Sequence, residues 1–227
     1  MSWVILAFGS VSFFTTLALL QRVLAVRSKH PRVMAVLFNC IAALMALLIF
    51  LLTGSFRKVV LPTGYKAWAV LVGASFCYGI YARGQFLVAK LLDASVLTTV
   101  RNISVLVAFV GSLFLYSETL TAQKLLGGAL IIVALFLVSV RNNPKNAPKE
   151  GLLLGIGLSI MLGLAWMLDK LGTQFFTANT YNILIWTVPI IFIFLPKIEF
   201  STIKKELEIA SWRVFVLAGV NVLGFLM

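Results

Sequence analysis

The sequence is short of charged residues, and acids are the scarcest of them. Lys, Arg, Asp and Glu make up 11% of its 227 residues, whereas soluble domains average about 25%. Hydrophobic residues make up 61%, and the mean hydropathy is +1.06. A chain with so little charge cannot cover an apolar core in water. This excludes an ordinary soluble domain and predicts an integral membrane protein.

Residues that carry chemistry are equally scarce. The sequence has one histidine, His30, and two cysteines, Cys40 and Cys77, both of which fall within apolar runs. It contains no Ser-His-Asp set, no metal-ligand cluster and no phosphate-binding loop, so we predict neither an enzyme nor a cofactor. The formal net charge of +12 comes from Lys and Arg in short segments between apolar runs. That distribution is typical of membrane loops, and we expect no nucleic-acid partner.

Apolar runs long enough to cross a bilayer, which takes about 20 residues, dominate the rest of the sequence. None of them shows the alternating pattern of a membrane barrel, so each is predicted to be a helix. The fold class is therefore all-α, a polytopic transmembrane bundle. Its predicted spans are residues 3–20, 33–52, 67–88, 94–116, 122–140, 151–168, 181–195 and a last one that begins at 212.

The most polar stretch, "RNNPKNAPKE", divides the chain into two halves, because its two prolines and three asparagines do not continue a helix. We assign residues 1–140 to a first unit of five helices, 141–150 to a linker and 151–227 to a second unit. Weak matches such as "LLQRVL" with "WMLDKL" suggest a five-helix repeat. By that repeat the second unit is incomplete, with roughly two and a half helices visible.

The end of the first unit carries a family resemblance. "LDASVLTTVRNISVLVAFVGSLFLYSETLTAQKLLGGALIIVALFLVS" resembles the end of an EamA domain of the drug/metabolite transporter superfamily. Ala94 and Ser95 match the small-residue entry to the fourth helix, Glu118 and Thr121 the acidic corner, and Gly127 the fifth helix. The resemblance implies two inverted five-helix repeats. It also implies a transport pathway lined mainly by the first, third and fourth helices of each repeat.

The corner "YSETLT" leaves two roles open for Glu118. As a turn between two apolar helices, it would place Thr121 at the N-cap of the next helix, where an acid gains from the helix dipole. Alternatively, Glu118 is part of a gate. Two other positions depart from the family's pattern. Family members often carry an arginine in the second helix, where this chain has Asn39 nearby, and a proline in the fourth helix, where it has Ser104.

Two arginines within the predicted spans are the main candidates for a solute site. Arg83 and Arg101 each lie about 13 Å from the turn between the third and fourth spans, with Tyr81, Gln85 and Asn102 at nearby heights. Charged groups within a bilayer are costly, so these predict a site that clamps an anionic group. Two alternatives stay open. The arginines snorkel to the interface, or they pair with acids elsewhere in the protein.

Other candidates lie in the second unit. Trp166 would line the pathway or belong to the interfacial aromatic belt. Asp169 and Lys170 are expected at the interface that closes the sixth span, and Pro189 interrupts the seventh. No acid precedes Asp93, so the first two spans offer no carboxylate for proton exchange.

We therefore predict a transporter of a small organic solute in the cytoplasmic membrane, working by alternating access. Its expected partners are membrane lipid and the solute, for which the arginines allow a negative charge; a homo-oligomer is also allowed. The competing functions are a non-transporting membrane scaffold or assembly subunit and an enzyme acting on lipid head groups. Loop charges place the N-terminus outside, whereas relatives usually keep both termini in the cytoplasm, so orientation stays open.

Overall fold

The computed structural model describes residues 3–116, 121–142, 148–195 and 198–226. Within these ranges the chain forms α-helices and one short 3-10 helix, Ser55–Lys58, and no β-strand, which confirms the all-α prediction. The helices are α1 Trp3–Arg27, α2 Pro31–Leu52, α3 Tyr65–Leu91, α4 Ala94–Arg101, α5 Ile103–Leu115, α6 Ala122–Asn142, α7 Lys149–Phe175, α8 Ala178–Thr187, α9 Pro189–Phe194, α10 Phe200–Ala210 and α11 Trp212–Leu226.

Several helical segments are long and apolar enough to cross a bilayer. Three pass alone, and a fourth is formed by a pair bent by 84°: Pro31–Leu52, Ala94–Leu115, Lys149–Phe175, and Phe200–Ala210 with Trp212–Gly224. Large apolar side chains point outward from the bundle, among them Leu52 and Phe114, which are 85% and 83% exposed. Such surfaces suit lipid rather than water, and the chain is a helical membrane protein, as predicted.

Two features of the second unit differ from the prediction. The seventh span begins earlier, at Ala178. Its division into α8 and α9 at Pro189, which has no N–H to continue the helix, agrees with the predicted interruption. The segment before the last span is also helical. This is α10, which sequence analysis left as a connector because it is short and rich in charge, with Lys204 and Lys205 exposed.

The fourth predicted span, 94–116, is one candidate span but not one continuous helix. Asn102 separates α4 from α5. Just beyond this interruption the Ser104 hydroxyl donates to the Arg101 carbonyl at 2.7 Å, a local bond that competes with the helical pattern. Helix α7 comes close at this point, because a Cβ added at Gly163 would lie 2.7 Å from the Ser104 carbonyl oxygen.

The first helices of the two units run in opposite directions. Arg22, near the end of α1, forms an ion pair with Asp93 at the start of α4. Gly151, near the beginning of α7, packs against Leu92 in the same region. Helix α1 therefore arrives at the end of the bundle from which α7 departs, as inverted repeats require. We call this the α10 end, because α10 also lies there, and the other the opposite end.

Helix α3 is central to the packing. It lies against α7, α2, α1 and α9, and its Phe86 is fully buried in the main hydrophobic core. Leu24 of α1, Met34 of α2 and Leu217 of α11 complete that core, and Phe38 contacts Phe86 edge-on with ring centroids 5.7 Å apart. The polar side chains of Ser75 and Gln85 on α3 are buried among neighbouring helices.

Candidate functional site

A cluster of polar side chains lies between α1, α3 and α4, and we call it the Arg101 cluster: Gln21, Tyr81, Gln85 and Arg101. Arg101 Nη2 donates to Gln21 Oε1 at 2.6 Å, and Gln21 Nε2 donates to Gln85 Oε1 at 3.1 Å. The Arg101 guanidinium carbon is 5.9 Å from the centroid of the Tyr81 ring. Gln21 and Gln85 are only 2% and 8% exposed. The three helices thus share one hydrogen-bonded network.

The cluster opens onto a small cleft that faces α7. Tyr81 and Gln85 are four residues apart, so they project from the same face of α3. Gly155 of α7 brings that helix close, because an added Cβ there would lie 2.9 Å from Val100 Cγ1. The residues that line the cleft are Tyr81, Gln85, Val88, Leu97, Val100, Arg101, Gly155, Leu158 and Ser159. Arg101 lies about 10 Å from the start of α4, within the apolar zone.

The partners of Arg101 among the described residues, the Gln21 amide and the Tyr81 ring, are neutral. Among the described residues, no carboxylate pairs with it, and the ion pair on this side of the bundle joins Arg22 to the exposed Asp93 at 3.0 Å. Arg22 also donates to the Ala89 carbonyl at 2.7 Å, which keeps it apart from the cleft. A guanidinium held by one amide oxygen and an aromatic face retains N–H donors for an anion.

The structure brings together only part of the predicted set. Arg101, Gln85 and Tyr81 meet in the cleft, whereas Arg83 lies on another side of α3, within electrostatic range of Arg32. The predicted depth of Arg83 matches that of Arg101, but two residues from Tyr81 correspond to about 200° of helix rotation. Arg83 therefore does not face Arg101.

The remaining predicted pathway residues lie outside the cleft. Asn102 forms the interruption between α4 and α5. Trp166 is half-buried on α7 and is not among the residues that line the cleft. Gln21 was not among the predicted residues. Its signal is a polar residue at the end of an apolar run, followed by Arg22, in "LALLQRVL".

The family-motif corner is described only in part. Glu118 lies outside the described residues. Thr121 immediately precedes α6, and its carbonyl accepts from the Leu125 N–H at 3.0 Å, as expected of a residue at a helix start. Gly127 is exposed on α6, with nothing within 4 Å of an added Cβ.

A second polar cluster, the Asp169 cluster, joins Asp169 of α7 to Tyr78 of α3 and Tyr181 of α8. The Tyr181 hydroxyl donates to Asp169 Oδ1 at 2.8 Å, and the Tyr78 hydroxyl donates to Oδ2. Helix α7 extends beyond the predicted end of the sixth span at 168. The apolar run stops at Leu168, but nothing in "DKLGTQF" stops the helix, and α7 continues to Phe175.

The described helices thus form a membrane-type bundle with a small cleft between α3, α4 and α7 that holds the cationic side chain of Arg101. The family model of the EamA-like transporter family matches residues 1–140. This is more than half of the chain, which therefore belongs to that family. Its members are membrane transporters rather than enzymes. No curated protein matches the chain.

Proposed function

We propose that this transporter carries a small organic anion across the cytoplasmic membrane and that the Arg101 cluster binds the anionic group. The observation that carries the proposal is a guanidinium within a membrane span that no carboxylate of the described residues neutralises. A charge in that position is costly, and solute sites are a common reason for its presence.

The neighbours of Arg101 supply what anion binding needs. The hydrogen bond to Gln21 fixes the plane of the guanidinium, so that its remaining N–H groups are oriented for two parallel bonds to a carboxylate or phosphate. Tyr81 lines the same cleft, and its hydroxyl adds a donor. Ser159 also lines the cleft, but its hydroxyl donates to the Gly155 carbonyl at 2.8 Å and leaves an oxygen that can only accept. Because Gln21 bonds Gln85 as well, the cluster stays connected when a solute replaces one contact.

The position of the cleft supports alternating access. Arg101 and its partners belong to α1, α3 and α4, and the opposing wall is α7. The family resemblance implies that these three helices of the first repeat line the pathway. Close packing on α7 depends on small residues, Gly155 against Val100 and Gly163 against Val107. Smooth helix surfaces of this kind allow one unit to rock against the other.

The test is uptake by proteoliposomes that contain the purified full-length protein. The panel contains radiolabelled monocarboxylates, dicarboxylates and phosphate esters, with neutral and cationic solutes for comparison. We expect uptake of one anionic class. Arg101→Ala should lower it by about tenfold or more, because hydrogen bonds to charged groups contribute about 1.5–3 kcal/mol. Arg101→Lys should restore part of it.

Two results would overturn the proposal. One is transport of neutral or cationic solutes only. The other is anion uptake that Arg101→Ala leaves unchanged. A third result, no flux of any solute together with altered binding of membrane proteins in Arg101→Ala, would favour the scaffold alternative instead.

A further inference from the structure

A carboxylate lies within helix α7, which is one of the candidate membrane spans. Asp169 is about 9 Å before the C-terminus of that helix, which lies at the end of the bundle away from α10. Within the described ranges, its two hydrogen bonds come from phenol hydroxyls and no Lys, Arg or His forms an ion pair with it. Ionisable groups in such positions are rare, and proton relays are one reason for them.

The surroundings of Asp169 are aromatic. The nearest basic residue in the sequence, Lys170, places its ammonium 4.4 Å from the centroid of the Tyr116 ring. Arg101 of α4 belongs to the cleft near Ser159, which is about 15 Å along α7 from Asp169. Among the described residues, the titratable and charged groups on the elements that pack around this part of α7 are Cys77, Tyr78 and Tyr81 of α3, Tyr116 after α5, Tyr181 of α8 and Lys170 of α7 itself.

Helix α3 connects this carboxylate to the Arg101 cluster. Tyr78, Tyr81 and Gln85 have the spacing i, i+3, i+7 and form one stripe along α3. Tyr78 bonds Asp169 at one end of the stripe, and Gln85 belongs to the Arg101 network at the other. The two ends are about 10 Å apart along the helix. A change in the bond to Asp169 thus acts on the helix that also carries part of the anion site.

The Asp169 cluster also joins the two predicted units of the protein. Tyr78 belongs to the first unit, and Asp169 and Tyr181 belong to the second. The Tyr181 ring packs so closely against Gly172, one turn beyond Asp169, that a Cβ added at Gly172 would overlap the ring. This contact holds Tyr181 in position. The phenol hydroxyls hold α3 and α8 to one carboxylate on α7, so the state of that carboxylate affects the contact between the units.

We propose that Asp169, with Tyr78 and Tyr181, forms a reversible proton-binding site that couples proton movement to transport; the coupling rests on the anion transport proposed above. In the ionised state both carboxylate oxygens accept phenol hydrogen bonds. Protonation adds H⁺ to one oxygen, which then carries an O–H donor, so the phenol bonded to it either turns its own O–H away and accepts this proton or leaves. Loss of the proton restores both bonds. A proton that moves together with an anion also offsets the charge of the solute.

The first test is a pH titration of the purified full-length protein in lipid, without any solute. Infrared difference spectra report the carbonyl stretch of a protonated carboxyl group. We expect a pH-dependent band that is absent in Asp169→Asn and that titrates with a displaced midpoint in Tyr78→Phe and Tyr181→Phe. Asp93→Asn, which changes an exposed carboxylate, should leave the band unaltered. A band that survives Asp169→Asn, or that neither tyrosine variant affects, overturns the proton site.

The second test measures coupling in proteoliposomes with an imposed pH gradient. We expect Asp169→Asn to keep solute exchange at equal pH on both sides of the membrane. The accumulation of solute that the pH gradient drives should be at least tenfold lower than in the wild type. Accumulation equal to that of the wild type would overturn the coupling. Because the titration contains no solute, it decides the proton site even if no anion of the panel is transported. If Asp169→Asn does not fold, Tyr78→Phe and Tyr181→Phe decide the proton site by the displaced midpoint of the band.

Discussion

Two acidic side chains held by hydrogen bonds, Glu206 of α10 and Asp169 of α7, are bound in different ways. Glu206 is fully buried and accepts the Lys29 N–H at 2.9 Å, the His30 N–H at 2.8 Å and the Ser28 hydroxyl at 2.9 Å. Two of these three donors are backbone groups in the turn that begins α2. Asp169 accepts from two side chains on two separate helices.

The difference indicates which carboxylate anchors the fold and which can take part in a cycle. Backbone donors cannot leave Glu206 without unfolding the α1–α2 turn, and Lys90 Nζ holds that turn further by donating to the Ser28 carbonyl at 2.8 Å. Phenol hydroxyls can turn away while their helices stay folded. We therefore regard Glu206 as a fixed anchor for α10 and Asp169 as an adjustable contact between the units.

The largest effect on stability is expected at the anchor. Glu206→Ala would leave one buried donor, the Ser28 hydroxyl, and two part-buried backbone N–H groups without their acceptor, and each group that stays unsatisfied costs about 1–3 kcal/mol. We expect the full-length protein to lose about 2 kcal/mol or more, measured by denaturant unfolding in detergent micelles. Glu208→Ala removes an exposed carboxylate from the same helix and should change little. Equal losses in the two variants would mean that Glu206 is no anchor.

An intermediate effect is expected where the Asp169 cluster is packed most tightly. Gly172→Ala would put a methyl group into the Tyr181 ring and move its hydroxyl from Asp169. Overpacking of this kind costs about 1–3 kcal/mol, and thermal unfolding should report it. The matched control is Gly157→Ala on the same helix, where nothing lies within 4 Å of the added Cβ. That control should be neutral or slightly stabilising. A stable Gly172→Ala variant would show that the ring is not confined.

The smallest effect on stability is expected for Asp169→Asn. The amide keeps one carbonyl acceptor for a phenol hydroxyl, and the other tyrosine can turn, so we expect a change within about 1 kcal/mol by thermal unfolding. A loss as large as that of Glu206→Ala would remove the contrast between the two carboxylates. Asp169 would then be a second anchor.

Much of the fold could be predicted from the sequence, because apolar runs and their polar connectors determine where membrane helices lie. Helix α10 could not, since it is short and charged and its Glu206 becomes buried only through tertiary contacts. The depth of Arg83 and Arg101 along their helices could be predicted from the helical rise, but the directions in which their side chains project could not. A rotation about α3 separates them, and it depends on how α7 and α2 pack. The end of α7 was predicted too early because an apolar run and a helix need not end at the same residue.

The central claim is that Arg101 binds the transported anion, and counterflow in proteoliposomes tests it most directly. Vesicles loaded with the active anion take up its labelled form without any gradient, so the rate reports binding and translocation alone. We predict that Arg101→Ala lowers this rate by about tenfold or more, whereas Arg83→Ala, an arginine of similar depth outside the cleft, leaves it near that of the wild type. Equal rates in the wild type and Arg101→Ala, or equal losses in both variants, would contradict the account.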